Sequence, residues 1–136
     1  MSLFRIVYIS DAVGGAGASL LALIDIIGVS HRNNRRDHLT GVLMRSDGRF
    51  FQAVEGARAD LDRLMGHLRS DRRHANIQVL SDAPIAERLF DGHLMAQLDA
   101  PASLDRLLAL APGDAQVEAA MQTLLSDASR AMTAPA

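Results

Sequence analysis

Leu39-Thr40-Gly41-Val42-Leu43-Met44-Arg45-Ser46-Asp47-Gly48-Arg49-Phe50-Phe51-Gln52-Ala53-Val54 is the stretch that decides the fold. Two apolar runs of strand length flank Ser46-Asp47-Gly48, and an Asp-Gly step between such runs predicts a β-hairpin. Alternation along Arg49 to Val54 puts Phe50, Gln52 and Val54 on one face and Phe51 and Ala53 on the other. Gln52 thus shares a face with apolar residues, where a primary amide must find a hydrogen-bond partner.

Upstream, Phe4-Arg5-Ile6-Val7-Tyr8-Ile9-Ser10 reads as a first strand over residues 3–10, dense enough in apolar side chains to be central and buried on both faces. Gly14-Gly15-Ala16-Gly17-Ala18-Ser19-Leu20 then approaches a dinucleotide fingerprint, but Leu20 stands where the third glycine belongs. The chain also turns into the hairpin instead of a strand closed by an acidic residue, which argues against a dinucleotide-binding βαβ unit. Ala18 to Asn34 is helical in pattern. Leu20, Leu23, Ile24 and Ile27 mark one face, and Leu21, Ile26 and Val29 fall elsewhere. Such a helix needs two apolar neighbours: one is the sheet, and the other is a second helix or a ligand.

Downstream, Leu61, Leu64, Met65 and Leu68 give Arg58 to Ser70 a single apolar stripe and predict a second helix. Asn76 to Leu80 reads as a fourth strand, Pro84 to Leu89 as a connection, and Gly92 to Leu98 as a fifth strand. The order βαββαββ defines an α+β fold of ferredoxin-like type, a mixed five-stranded sheet with two helices on one face. Two C-terminal helices follow, Pro101 to Leu110 and Ala115 to Ala131. The second carries a stripe of Val117, Ala120, Met121, Leu124, Leu125 and Ala128 that either covers the free sheet face or meets a partner. The expected division is residues 1–98 for the sheet domain and 99–136 for a helical extension.

Composition narrows the function. At 136 residues one domain is expected, and a formal net charge of −2 gives no global attraction to nucleic acid or to an anionic membrane. With no cysteine, disulfides, thiol catalysis and Cys-based zinc sites are excluded. The start of the chain has no signal-peptide organisation, and the apolar stretch near Leu20–Val29 is broken by Asp25 and too short to span a bilayer. A cytoplasmic protein is expected.

The candidate site residues are polar groups set among apolar elements. A phenol at Tyr8, an amide at Gln52 and the pair Asn33-Asn34 suit a buried hydrogen-bonding site for a flat heteroaromatic ligand. His31, Arg32, Arg35 and Arg36 at the end of the first helix complement its macrodipole or face a phosphate. His67, Asp71, Arg73 and His74 surround the end of the second helix, where Asp71 is poorly placed for the macrodipole and needs a partner: Arg72, Arg73 or a ligand N–H. No metal site is expected, because His67 and His74 are seven apart across a helix end and no third ligand is evident. No hydrolase triad or metalloprotease motif occurs.

Taken in order and spacing, five segments resemble the BLUF family, bacterial blue-light sensors that use FAD. They are Phe4 to Ser10, Ser30 to Asn34 with Leu39-Thr40-Gly41, Phe50-Phe51-Gln52 with Glu55-Gly56, Asp71-Arg72-Arg73-His74, and Pro84 to Phe90. The resemblance covers roughly residues 3–97. It implies a non-enzymatic photoreceptor with FAD held non-covalently between the two helices, FMN or riboflavin being possible substitutes. Ile26 and Leu68 match positions that sandwich the ring. Asn33, Asn34, His67 and Asp71 match its polar edge, Arg32 approaches the phosphates, and Arg73 and His74 complete the cofactor set. Tyr8 and Gln52 match the photoactive pair, donor and switch, and Met95 matches a signal-relaying methionine.

One departure stands out. The family often has a tryptophan two residues before that methionine; here the residue is His93, and the chain has no tryptophan. His93 is expected to face solvent and Met95 the site in the dark. No effector domain is expected after residue 131, and output is expected through a separate signalling protein or through a change in a homo-oligomer, using the helical tail. The competing reading is a ferredoxin-like interaction module that has lost photochemistry.

Overall fold

A computed structural model of the chain describes residues 2–12, 38–70, 74–92, 96–111 and 113–133. The expected first helix, residues 18–34, and the glycine-rich loop before it lie outside the described residues. Strand β1 spans Leu3–Ala12, β2 Thr40–Ser46 and β3 Arg49–Gly56. Helix α1 (Arg58–Ser70) is the expected second helix. Strands β4 (His74–Ile85) and β5 (Ala96–Gln97) and helices α2 (Ala102–Leu108) and α3 (Val117–Thr133) complete the order.

The sheet runs β4-β1-β3-β2-β5. The first four strands are antiparallel in the ferredoxin-like order, and β5 lies parallel to β2. The hairpin forms where its turn residues demand it. Asp47 (φ 47°) and Gly48 (φ 75°) both lie in the left-handed region, the pattern of a type I′ turn whose twist suits antiparallel strands. At Gly41 the constraint is space, since a Cβ there would meet the carbonyl oxygen of Ala53 on β3.

β4 is longer than Asn76 to Leu80 and takes in Pro84, which pairs with Phe4. Pro84 is tolerated because β4 is an edge strand, and an edge strand can leave one side without ladder donors. The β1–β4 register carries two irregularities. Between the pairs Ile9–Gln78 and Asp11–Ala75, β4 carries one extra residue, and Asn76 adopts φ 54°. Within the expected fifth strand, Gly92 is a turn residue and the described pairing is confined to Ala96–Gln97.

Each face of the sheet has its own core. On one, Ile6, Tyr8, Leu43, Phe50 and Val54 pack with Leu61, Leu64, Met65 and Leu68 of α1. On the other, Val7, Ile9, Val42, Met44, Phe51 and Ala53 pack with Leu104 and Leu107 of α2 and Met121, Leu124, Leu125 and Ala128 of α3. Of the two destinations open to the α3 stripe, it covers the sheet. Side chains reinforce that layer: Ser46 Oγ donates to Asp105 (2.7 Å), Arg49 Nη1 to the Leu108 carbonyl (3.2 Å), and Ser103 Oγ to Asp127 (2.6 Å). Among the described residues, no helix is long and apolar enough to cross a membrane.

Candidate functional site

Tyr8 and Gln52 sit directly opposite each other in the β1–β3 ladder, and both are buried. Their side chains share the α1-covered face, as alternation along Arg49 to Val54 requires. The Tyr8 hydroxyl donates to Gln52 Oε1. Gln52 in turn pairs with Leu43 on β2, and Leu43 with Gln97 on β5, so one row crosses the sheet from Tyr8 to β5. Leu98 N donates to the Leu43 carbonyl at the end of that row (3.2 Å).

Of the other expected site residues, Leu68 is buried in the same cluster as Tyr8, while His67 on α1 is exposed. His74 is described only in its backbone, pairing with Ala12 at the start of β4. Ile26, Arg32, Asn33, Asn34, Asp71, Arg73, His93 and Met95 lie outside the described residues. Among the described residues no cluster of three or more His, Asp or Glu side chains could hold a metal ion.

Two features escape a reading of the sequence alone. Arg45 stands two residues beyond Leu43, so strand alternation puts it on the Tyr8–Gln52 side of the sheet. Its Nη1 is buried without a hydrogen-bond partner among the described residues. A buried guanidinium N–H is costly unless an acceptor meets it. Together with a phenol and an amide, it fits an acceptor-rich heteroaromatic ligand such as a flavin.

The second feature is Glu55, fully buried three residues after Gln52 and on the opposite face. Its Oε2 accepts from Arg5 Nε (2.9 Å) and Leu89 N (2.9 Å), and its Oε1 from Thr40 Oγ1 (3.2 Å) and Phe90 N (2.9 Å). Arg88 Nη1 adds bonds to Thr40 Oγ1 (2.9 Å) and to the Glu55 carbonyl (3.0 Å). A carboxylate in step with Phe51 and Ala53 was the available signal; its partners, far apart in sequence, were not.

The α1-covered face of this ferredoxin-like sheet thus carries a buried phenol–amide pair, a hydrogen-bonding site suited to the polar edge of a flat aromatic ligand. The family model for BLUF, sensors of blue-light using FAD, matches residues 3–96, and the chain belongs to that family. Photoactivated adenylate cyclase subunit beta of Euglena longa is 32% identical over 94 residues, 68% of this chain and 11% of that protein. The chain thus spans about a tenth of the length of the curated relatives it matches. Among solved structures, a bacterial light-regulated adenylyl cyclase superposes with a TM-score of 0.68 at 30% identity, covering 96% of this chain and 36% of that one. BlsA in its photo-activated state superposes with a TM-score of 0.76 at 25% identity, covering 90% and 94%. The matched family is a flavin-based blue-light sensor module, with no reaction turned over at its site.

Proposed function

We propose that this chain binds FAD non-covalently and reports blue light by exchanging the hydrogen-bond partners of Gln52. The observation that carries the reading is the Tyr8-to-Gln52 hydrogen bond, buried between β1 and β3 under α1. When bound, the flavin supplies blue-light absorption and an excited state that accepts an electron. Tyr8 is the chain's single tyrosine, and there is no tryptophan, so Tyr8 is its one phenol or indole donor. Its hydroxyl already points its proton at Gln52 Oε1, which gives the proton a path as the electron leaves. Gln52 carries an acceptor at one end and donors at the other, so rotation or tautomerisation changes its partners without creating a charge. In a buried setting that exchange is worth enough to bias a two-state element.

Support for the wider cofactor set comes from family membership together with the matching residues. Ile26 and Leu68 are assigned to the ring faces, Asn33, Asn34, His67 and Asp71 to its polar edge, and Arg32, Arg73 and His74 to the remainder. FAD is favoured over FMN or riboflavin by the family's description. Residues 1–98 form the flavin-binding domain and 99–136 the extension. Output runs through that extension to a separate signalling protein or a homo-oligomer contact in a bacterial cytoplasm. The extension is suited to this because α3 packs on the reverse face of β3, against Phe51 on one side of Gln52 and Ala53 on the other.

Purification tests the reading. A yellow protein that releases FAD on denaturation, and whose absorption shifts to the red under blue light and recovers in the dark, is expected. A colourless chain that takes up no flavin would instead support an interaction module without photochemistry.

A further inference from the structure

The Glu55 cluster lies on the opposite face of β3 from the Tyr8–Gln52 pair, and its carboxylate accepts four long-range hydrogen bonds. Its donors come from β1 (Arg5), β2 (Thr40) and the backbone of Leu89 and Phe90. The last two belong to the chain that leaves β4 at Ile85 and enters β5 at Ala96, joining opposite edges of the sheet. Glu55 lies on β3, the middle strand, and grips this crossing partway along. Phe90, next to the grip, is buried in the core beneath α2 and α3.

We propose that Glu55 is a positioning residue: its carboxylate fixes the β4–β5 crossing and so holds β5 in register on β2, in the row that contains Gln52. The inference rests on the photoreceptor reading of Tyr8 and Gln52. Among the described residues β5 is an edge strand, held by a ladder on one side only, against β2. β5 therefore depends on what holds the chain on either side: the Glu55 grip before it, and the buried Ser103 and Leu104 of α2 after it. Leu43 pairs with Gln52 on one side and Gln97 on the other, so a change of partners at Gln52 meets β5 one strand away. With the crossing pinned, that change becomes a defined shift of β5 ahead of α2. With the crossing loose, it dissipates.

The test compares the full flavin-loaded chain with its Glu55→Gln variant, in the dark and under blue light. Amide hydrogen exchange is read at Leu89, Phe90 and Leu98, and absorption alongside. In the dark variant, Leu89 and Phe90 should exchange about tenfold faster or more, because each loses a charge-assisted bond. The size of the red shift should stay that of the unsubstituted chain, since Tyr8 and Gln52 are untouched. The light-minus-dark difference at Leu98 should be present in the unsubstituted chain and lost in the variant. A merely structural Glu55 would raise dark exchange and leave the Leu98 response intact, which overturns the proposal, as do unchanged exchange at Leu89 and Phe90 or a Leu98 that ignores light in both proteins. Should Glu55→Gln fail to fold, Thr40→Val and Arg88→Gln thin the same cluster while keeping the carboxylate, and wild-type readings in both overturn it. An unsubstituted chain with no red shift sinks the photoreceptor reading instead, and the dark exchange arm still tests the grip.

Discussion

Tyr8 and Gln52 are partners twice over: their backbones face each other in the β1–β3 ladder, and the Tyr8 hydroxyl donates to the Gln52 carbonyl oxygen. The ladder fixes the two Cα positions, so the side-chain bond needs no long flexible reach. A buried phenol is thereby held against an amide whose other end is chemically its opposite, a donor where the bonded end is an acceptor.

Tyr8→Phe separates the donor from the fold. The ring stays and the hydroxyl goes, so Gln52 Oε1 loses this buried donor at a cost of about 1–3 kcal/mol. Flavin should remain bound and the reversible red shift should disappear, as judged by absorption under blue light. With no second tyrosine and no tryptophan in the sequence, no substitute donor of that kind exists. A normal photocycle in this variant would show that Tyr8 is not the donor.

Gln52→Leu removes the other partner at nearly the same volume. Alone it too should cost about 1–3 kcal/mol, because the Tyr8 hydroxyl loses a buried acceptor. Combined with Tyr8→Phe it should cost less than the two single changes added together, since residues in one bond are not independent. Chemical denaturation of the four proteins measures the coupling. Strict additivity would mean the bond contributes nothing to stability.

Gly41→Ala tests the closeness of β2 and β3. The new methyl would lie against the Ala53 carbonyl, backbone on a neighbouring strand that cannot swing aside as a side chain could. Overpacking of this kind costs roughly 1–3 kcal/mol. Ala53 also adjoins Gln52, so the same variant should perturb the flavin absorption if β3 shifts to relieve the contact. Unaltered thermal stability would show that the strands part freely.

What was legible in the sequence follows the range of the interaction that fixes each feature. The hairpin, α1 and the alternation that aims Gln52 at the α1 face depend on neighbours a few residues away, and Asp47-Gly48 and the Leu61–Leu68 stripe announce them. The extent of β4 was not legible, because an edge strand paired with a regular β1 can run through Pro84 and past a left-handed Asn76. Nor was the role of Glu55, whose ligands come from residues 5, 40, 89 and 90. Family resemblance marked Glu55-Gly56 and Pro84 to Phe90 as separate motifs; the structure joins them in one cluster.

Leu124→Ala asks whether the tail is part of the folded unit. Leu124 is fully buried between α3 and the sheet, and truncating such a leucine costs about 2–5 kcal/mol. A single cooperative melt, lowered as a whole, is expected, with the flavin spectrum retained because the change lies on the face away from Tyr8. A melt in which only a minor early phase moves would show that α2 and α3 unfold independently of the sheet.

Asp127 offers a pH handle on the same layer. The Ser103 hydroxyl bond holds its carboxyl below the ordinary value of 3.8, helped by Arg130 and opposed by partial burial. A depressed carboxyl pKa favours the folded state above the unfolded value, and that contribution fades as pH falls through the folded one. Ser103→Ala removes the largest cause, so the Asp127 titration, followed by carboxyl carbon NMR, should move up toward 3.8. The variant should melt lower than the unsubstituted chain at neutral pH, with the gap narrowing once the pH drops below that value. An unshifted Asp127 titration in Ser103→Ala would place the cause elsewhere, with Arg130 the partner to substitute next.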